Sequence, residues 1–320
     1  MKAIVTGGAG FIGSHLARRL LKEGWDVLIV DNLSSGHRRN VPENAEFLEL
    51  DLTHEDAIKE LPTNEFDVMF HLASHVGQEL SFEEPIYDLK ANSLSTMLLL
   101  QWCLNGQVKK FVFASSMNVY GNAATECVDE ITSIRPPSPY AVGKISSEYL
   151  CQIYQNFGLE TTALRLFNIY GPGQDIDNMR QGMVSIYMAF VAHNKTLLVK
   201  GSKDRFRDFV YIEDAVDAFY RCLDKNASGK IYNVATGRQT FVWQLIDQIT
   251  EVFGHVPGSY PITYENPTIQ DQFGIYGNSK LIHRELGWKP KTSLEEGIRM
   301  MSEWVKEYVD SQKRIGKSMS

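Results

Sequence analysis

The sequence predicts an α/β fold, a doubly wound parallel sheet covered by helices on both faces. Short β-branched runs alternate with helical patterns through the first half of the chain, as in KAIVTG, SHLARRLLKEG, DVLIVD and DAIKEL. Strands that alternate with helices pair in parallel and are buried on both sides. A glycine cluster, GGAGFIG, also joins the first strand to the first helix.

A Gly-Pro-Gly breaker at 171–173 ends this regular half of the chain. Beyond it, GMVSIYMAFVAHN is predicted to be a helix, another helix begins near Phe241, and a late helix follows Ser293. We therefore expect a smaller, partly interleaved C-terminal α/β domain over the end of the sheet. The predicted division is 1–172 with 207–236 for the first domain, 173–206 with 237–310 for the second, and 311–320 for a frayed polar tail.

Composition excludes several classes of protein. The chain has 320 residues, 43% of them hydrophobic, and a formal net charge of -7, which argues against a nucleic-acid partner. Its four cysteines form no Cys-x-x-Cys pair and suit a reduced, cytoplasmic protein. The longest apolar stretch, 94–104, is too short for a membrane span, and the first residues lack a signal-peptide core.

The segment GGAGFIG has the pattern of a dinucleotide-binding turn. Gly7 permits the tight turn, Gly10 lets a pyrophosphate approach the backbone, and Gly13 packs the helix on the strand. The helix N-terminus adds partial positive charge. Asp31 ends the following strand, where its carboxylate accepts ribose hydroxyls and repels the extra phosphate of NADP, so NAD is the predicted cofactor.

A second pattern predicts a catalytic pair. Tyr140 and Lys144 lie four residues apart in a segment that begins a helix after Pro139, so they share one face. We expect the ammonium to lower the pKa of the phenol toward the working pH and make it a general base. Ser116, at the end of a predicted core strand, could hold the substrate oxygen.

Taken together, GGAGFIG, DNLSSG, HLAS, SSMNVYG, PYAVGK, RLFNIYGPG and RDFVYIED resemble the extended short-chain dehydrogenase/reductase family, in particular its nucleotide-sugar epimerases and dehydratases. The resemblance runs in order through nearly the whole chain. It implies a Rossmann-type domain, tightly held NAD and a catalytic triad of Ser116, Tyr140 and Lys144. It also implies a homodimer through a four-helix bundle formed by the helices around Leu94 and Tyr140.

The resemblance further implies two sets of binding residues. The cofactor set is Gly7, Gly10, Phe11, Ile12, Gly13, Asp31, Asn32, Ser35, Gly36, Asp51, Leu52, Leu72, Ala73, Ser74, Asn92, Ser115, Tyr140, Lys144 and Phe167. The substrate set is His75, Gln78, Ser116, Met117, Asn118, Asn168, Arg205, Arg207 and Asp271. A guanidinium also suits phosphate oxygens on chemical grounds, although Arg207 could instead pair with Asp204 or Asp208.

The residues after Ser116 bear on the reaction. Family members that dehydrate carry an acid pair there, whereas this chain has Met117 and Asn118, which exchange no proton at neutral pH. The prediction is an NAD-dependent epimerase, a UDP-sugar 4-epimerase acting through a transient 4-keto sugar with Tyr140 as base. A reductase, an atypical dehydratase and a non-catalytic NAD-binding protein are the alternatives.

One position departs from the family pattern. Thr268 stands where a phosphate-binding Arg is common, and Arg205 is a candidate replacement. No metal is predicted, because His71 and His75 run from strand into loop and no third ligand is suggested. Trp243, Trp288 and Trp304 are expected in the core.

Overall fold

The computed structural model describes residues 1–63, 66–106, 108–267 and 271–318. The strands are β1 (Lys2–Thr6), β2 (Asp26–Asp31), β3 (Glu46–Glu49), β4 (Val68–His71), β5 (Lys110–Ser116), β6 (Cys127–Val128), β7 (Glu160–Leu166), β8 (Asn168–Tyr170), β9 (Leu197–Lys200), β10 (Phe206–Arg207), β11 (Phe209–Tyr211), β12 (Lys230–Val234), β13 (Thr240–Phe241), β14 (Ile262–Glu265) and β15 (Tyr276–Gly277).

The helices are α1 (Phe11–Lys22), α2 (Gln78–Glu83), α3 (Pro85–Leu89), α4 (Ser95–Asn105), α5 (Pro139–Gln155), α6 (Met183–Ala192), α7 (Ile212–Arg221), α8 (Val242–Val252), α9 (Lys280–Leu286) and α10 (Leu294–Ser318). A π-helical turn, Lys90–Leu94, leads into α4. The predicted helix in DAIKEL is a 3-10 helix, Glu55–Glu60.

Within the described residues, seven strands form one sheet in the order β12-β7-β5-β4-β1-β2-β3. Every neighbouring pair is parallel, which confirms the predicted Rossmann-type α/β fold. From β1 the strand order runs one way through β2 and β3, and then resumes on the other side of β1 with β4. The switch point therefore lies between β1 and β4. Because ligands of such sheets bind beyond the carboxyl ends at this switch point, the site is expected above Thr6 and His71.

The core lies on both faces of this sheet, because successive side chains of each strand point to opposite sides. Ala3 and Val5 pack into one buried cluster and Ile4 into the other. On β4, Phe70 belongs to the first cluster and Met69 to the second. Burial on both faces explains why these strands are continuous apolar runs.

Helix α5, which carries the predicted catalytic pair, begins as its sequence indicates. Ser138 is the N-cap residue, and its hydroxyl accepts a hydrogen bond from the N–H of Ala141 at 3.3 Å. Pro139 occupies the first turn, where its fixed φ and missing N–H are tolerated. The start of the helix, and therefore the position of Tyr140, is set locally.

The second half of the chain forms small two-stranded sheets, β9 with β14, β10 with β13, β8 with β11 and β6 with β15. The predicted frayed tail at 311–320 is wrong over most of its length, since α10 continues to Ser318. Trp304 stacks on Tyr308, and Asp310 pairs with Lys313 one turn later, which stabilises this late part of the helix.

None of the helices in the described parts of the chain is long and apolar enough to cross a membrane.

Candidate active site

Gly7, in the turn between β1 and α1, and Gly13, in the first turn of α1, leave no room for a side chain. Gly7 has a φ of 69°, and a Cβ on Gly13 would lie 2.2 Å from the Gly7 carbonyl oxygen. A Cβ on Gly7 would lie 2.6 Å from the backbone nitrogen of Ala73. Gly10 is the N-cap of α1 and supplies no side-chain acceptor, so the first N–H groups of the helix remain available to a phosphate.

Beyond this turn lies a cavity of about 830 Å³ at the carboxyl ends of the sheet strands. All but two of the predicted cofactor residues line it, as do the predicted substrate residues Ser116 and His75. The lining members of the cofactor set are Gly7, Gly10, Phe11, Ile12, Gly13, Asp31, Asn32, Ser35, Asp51, Leu52, Leu72, Ala73, Ser74, Ser115, Tyr140, Lys144 and Phe167. A dinucleotide therefore fits the site both in volume and in the shape of its glycine turn.

The other two cofactor residues lie just behind the wall. Gly36 packs so closely that an added Cβ would be 3.0 Å from Asp31 Oδ1. The Asn92 amide donates to the carbonyl of His75 and to Asp88 Oδ1, both at 3.0 Å, and its oxygen accepts from Ser74 Oγ at 2.5 Å. Asn92 thus holds two lining residues in place.

Asp31 sits at the end of β2, as predicted. Its carboxylate accepts N–H groups from Ala9 at 3.0 Å and Leu33 at 2.9 Å. Burial raises the pKa of this carboxyl, and the two N–H groups oppose the effect. Of the two nearby arginines, Arg38 lies over the Phe47 ring at 4.2 Å, and Arg39 lines the cavity.

The three predicted catalytic residues meet at the wall of the cavity. Tyr140 hydrogen-bonds with Ser116, whose hydroxyl also accepts the N–H of Asn118 at 3.2 Å. Lys144 donates to the carbonyl of Ala114 at 2.9 Å, and its nitrogen is 5.6 Å from the centre of the Tyr140 ring. Helix α5 and the end of β5 therefore bring together residues that are 28 positions apart in sequence.

The expected electrostatics of this pair are wrong in one respect. Burial raises the pKa of Tyr140 to about 12, although the hydrogen bond with Ser116 lowers it. Burial likewise lowers the pKa of Lys144 to about 7, and the charge of Asp88 opposes this. Desolvation disfavours both charged forms, so the protein groups alone do not bring the phenol to a working pH.

The predicted phosphate-binding residues form a separate cluster. Arg207 Nη2 contacts Asp271 Oδ1 at 2.9 Å, and Arg205 pairs with the other oxygen of the same carboxylate. The sequence also allowed Arg207 to pair with Asp204 or Asp208, but its side chain pairs with Asp271 instead. The Asp208 carboxylate accepts N–H groups from Thr236, Gly237 and Gly277. Thr268 lies outside the described residues.

The cavity wall around the triad does not include the other predicted substrate residues, Gln78, Met117, Asn118, Asn168, Arg205, Arg207 and Asp271. Asn168 donates to the backbone carbonyl of Asp208 at 2.9 Å and to Met117 Sδ at 3.6 Å. Asn168 thus links the turn after Ser116 to the strand that carries Arg207.

Sequence reasoning missed part of the wall. The loop after β8 contributes Gln174 and Asp175, and α10 contributes Trp304 and Tyr308. Of the three tryptophans expected in the core, Trp288 is buried as predicted. Trp304 instead lines the cavity, and Trp243 is 43% exposed and stacks with Phe241. A tryptophan followed four residues later by a tyrosine on one face of α10 was the available signal.

His71, weighed above as a metal ligand, lies in the core. Among the described residues, there is no group of three or more His, Cys, Asp or Glu side chains that could hold an ion. His71 is fully enclosed between Thr6 Oγ1 at 2.7 Å and Thr96 Oγ1 at 3.1 Å. Burial lowers its pKa to about 3, so it is a neutral core residue.

Comparison with known proteins adds independent findings. The chain is 33% identical over 305 residues to a UDP-glucose 4-epimerase of Mycolicibacterium smegmatis, covering 93% of this chain and 96% of that protein. A structure of UDP-glucose 4-epimerase from Thermotoga maritima with UDP-glucose matches it with a TM-score of 0.91 and 33% identity, covering 97% and 100% of the two chains. A Thermus thermophilus UDP-glucose 4-epimerase complex with NAD matches with a TM-score of 0.86 and 31% identity, covering 95% and 98%.

The family description of NAD dependent epimerase/dehydratase matches residues 3–235, which include the glycine turn, the triad and Arg207. This match confirms the resemblance found in the motifs and the assignment of NAD as the cofactor. The chain belongs to the NAD-dependent epimerase/dehydratase family.

Proposed function

We propose that this protein is an NAD-dependent UDP-sugar 4-epimerase. The observation that carries the proposal is the meeting of Ser116, Tyr140 and Lys144 at the wall of a cavity whose glycine turn fits a dinucleotide. The lining residues of the cofactor set hold NAD, and those around the triad face the sugar.

When bound, NAD would accept the hydride of the sugar and later return it, and its oxidised form would add a positive charge to the cavity. Tyr140 would then be more acidic, because a nearby cation lowers the pKa of a phenol. Tyr140 removes the proton of the sugar 4-hydroxyl while Ser116 holds the oxygen. The 4-keto sugar would turn over in the cavity, so that the hydride returns to the other face of carbon 4 while Tyr140 returns the proton to the 4-oxygen.

Lys144 has two functions in this scheme. Its bond to the carbonyl of Ala114 fixes the side chain against β5, 5.6 Å from the ring it serves. Its positive charge then stabilises the phenolate form of Tyr140. Because burial lowers the pKa of Lys144 to about 7, the charge of Asp88 helps to keep the amine protonated.

The turn after Ser116 favours epimerisation over dehydration. Met117 is buried there, and its sulfur accepts a hydrogen bond from the Asn168 amide. Its thioether has no acidic proton to donate. Among the described residues that line the cavity, the carboxylates are Asp31, Asp51 and Asp175. Asp31 ends β2 and the other two follow β3 and β8, so none of them comes after β5. An elimination of water needs an acid beside the sugar, and these positions supply none.

The cluster of Arg205, Arg207 and Asp271 supports a nucleoside diphosphate-sugar as substrate. Two guanidinium groups share one carboxylate, and both arginines are at most 7% exposed. A buried excess of positive charge is a suitable site for phosphate oxygens. Asn168 and Asp271 belong to the same predicted substrate set as the two arginines. The solved relative with UDP-glucose makes UDP-glucose the first substrate to test.

The test is incubation of the purified protein with UDP-, GDP-, CDP- and dTDP-sugars, followed by NMR of the products. We expect UDP-glucose and UDP-galactose to interconvert without added cofactor, because the cycle has no net oxidation. Loss of water from the sugar would identify a dehydratase, and consumption of NADH would identify a reductase.

We also propose that the enzyme is a homodimer through α4 and α5. Each helix exposes large apolar side chains on one side, Met97 and Leu104 on α4 and Val142, Tyr149 and Ile153 on α5, all between 38% and 56% exposed. An apolar face of this kind is typical of a subunit contact. In sedimentation, the wild type should have the mass of a dimer and a Tyr149→Lys/Ile153→Lys variant the mass of a monomer. A variant that sediments with the same mass as the wild type would contradict this interface.

Two further predictions remain part of the proposal. The predicted domains assign cofactor binding to 1–172 with 207–236 and substrate binding to 173–206 with 237–310, and all seven strands of the large sheet lie in the first set.

A cytoplasmic location is supported by the four free cysteines. Cell fractionation with an antibody to the native protein would test the location.

A further inference from the structure

Helix α5 contacts the end of β5 at three successive levels. Tyr140, Lys144 and Glu148 are spaced four residues apart and therefore lie on one face of the helix. Tyr140 bonds with Ser116, Lys144 with the carbonyl of Ala114, and Glu148 Oε1 accepts Ser115 Oγ at 2.5 Å. The first two contacts belong to the triad, and the third is not used by the reaction.

Glu148 is held from its other side by Arg165 on β7. Arg165 Nε lies 2.9 Å from Oε1 and Nη2 lies 2.7 Å from Oε2, which is a bidentate pair. The two side chains are 1% and 2% exposed. A planar guanidinium that grips both oxygens fixes the orientation of a carboxylate as well as its position.

Arg165 in turn reaches the turn that follows Ser116. Its Nη1 donates to the hydroxyl of Tyr120 at 2.9 Å and to the carbonyl of Glu130 at 3.2 Å. The Tyr120 hydroxyl donates to Asn233 Oδ1 on β12 at 2.6 Å. The buried guanidinium of Arg165 thus joins Glu148 on α5 to Tyr120 in the turn after Ser116, and through Tyr120 to Asn233 on β12.

Stability alone does not explain a buried ion pair of this kind. Replacement of such a pair by well-packed apolar residues is often neutral or stabilising, because burial of two charges costs much of what their attraction returns. The distinctive property of the pair is its fixed geometry. That geometry is imposed one helical turn from Lys144 and one residue from Ser116.

We propose that Glu148 and Arg165 are positioning residues for the reaction, which set the register of α5 against β5 and so the spacing of the catalytic triad. This inference rests on the proposed function for its kinetic test. A displacement of reacting groups by about 1 Å can cost about a hundredfold in rate.

The test is the double variant Glu148→Met/Arg165→Met, which removes both charges together and replaces them with unbranched apolar side chains. We expect a folded protein with bound cofactor, a KM for UDP-glucose within about threefold of the wild type, and a kcat lower by about a hundredfold. A folded double variant with wild-type kcat would overturn the proposal.

Ser115→Ala decides the question if the double variant does not fold. It removes the hydroxyl that joins β5 to Glu148, and because Ser115 also lines the cofactor cavity, the affinity for NAD is measured alongside kcat. We expect a folded protein with a slightly lower melting temperature, retained cofactor and a kcat about tenfold lower, comparable to the loss of one hydrogen bond to a charged group. A wild-type kcat in this variant would contradict the positioning role.

Lys110→Met is the matched control, since it removes a buried cation at the opposite end of the same strand. Lys110 donates to the carbonyls of Cys222, Leu223 and Asp224 and pairs with Glu160. We expect a lower melting temperature and unchanged kcat. If Lys110→Met lowers kcat as much as the double variant does, removal of any buried charged side chain slows the enzyme, and the positioning role is contradicted.

A structural measurement separates this inference from the proposed function. If the wild type converts no UDP-sugar, the proposed function fails, and crystal structures of the variants still decide the inference. We expect the contacts of Lys144 with Ala114 and of Tyr140 with Ser116 to lengthen in Ser115→Ala and the double variant, and to persist in Lys110→Met. Unchanged contacts in all three would overturn it.

Discussion

The two ends of the proposed site are built in different ways. At the cofactor end, the shape comes from backbone, where Gly7 and Gly13 leave no room for a Cβ and an open cavity of about 830 Å³ results. At the phosphate end, the shape comes from side chains, where Arg205 and Arg207 are both paired with Asp271. In the proposed function, the cofactor end is formed in advance, whereas the arginines of the phosphate end are already paired with Asp271 before phosphate binds.

This difference predicts how each end responds to change. A backbone site tolerates almost no added volume, because neighbouring peptide groups cannot move aside. A side-chain site can lose one group and still bind weakly, because the remaining groups keep part of the charge. Variants of the two ends should therefore fail in separable ways.

The largest expected effect leaves both ends intact. Tyr140→Phe removes the hydroxyl that exchanges the proton and keeps the ring, so kcat should fall about 10²–10⁴-fold. Cofactor content and the KM for UDP-glucose should stay near their wild-type values. Steady-state kinetics and the absorbance of bound cofactor measure this, and a variant that keeps most of its activity would remove Tyr140 from the mechanism.

Gly13→Ala should break the cofactor end alone. The added Cβ would lie 2.2 Å from the Gly7 oxygen, and overpacking of about 1–3 kcal/mol predicts NAD affinity lower by up to about a hundredfold. Calorimetric titration with NAD measures the loss. Gly258→Ala is the control, because nothing lies within 4 Å of its added Cβ and only its positive φ is strained; equal losses in both variants would contradict a steric cause.

Arg207→Ala should weaken the phosphate end alone. Removal of a charge-assisted bond worth about 1.5–3 kcal/mol predicts a KM for UDP-glucose higher by roughly 10–150-fold, with cofactor content unchanged. Arg205→Ala should raise KM less, and a normal KM in that variant would show that Arg205 contacts no phosphate. Arg180→Ala, at an exposed ion pair with Glu83, should have wild-type kinetics.

The smallest expected effect is a pH dependence of stability. Burial lowers the pKa of Lys144 to about 7 from its ordinary 10.5, so between these values the unfolded chain binds more protons. Stability should therefore rise with pH across this window. Comparing the melting temperatures of the wild type and Lys144→Met from pH 7 to 9 isolates the effect, and parallel curves would contradict it. Above pH 10, the raised pKa of Tyr140 makes stability fall with pH instead.

Much of the cofactor end could be predicted from the sequence because its determinants are local. The glycine turn, Asp31 at the end of the next strand and the N-cap of α5 each depend on a few neighbouring residues. The four-residue spacing of Tyr140 and Lys144 fixes a shared helix face wherever the helix lies. These parts needed no knowledge of long-range contacts.

Other parts depend on contacts that the sequence does not reveal. The lining role of Trp304 and Tyr308 requires α10 to reach a cavity made by the first half of the chain. The pairing of Arg207 with Asp271 joins residues 64 positions apart, where sequence reasoning weighed Asp204 and Asp208 as its neighbours. The pKa of Tyr140 depends on its burial, which outweighs the neighbouring charge.

The most direct test of the central claim uses UDP-glucose with deuterium at carbon 4. If Tyr140 moves only the hydroxyl proton and the hydride returns to the same sugar, NMR should show UDP-galactose with the deuterium retained at carbon 4 and no requirement for added cofactor. Exchange of that deuterium with solvent, or product formation only with added NADH, would contradict the account.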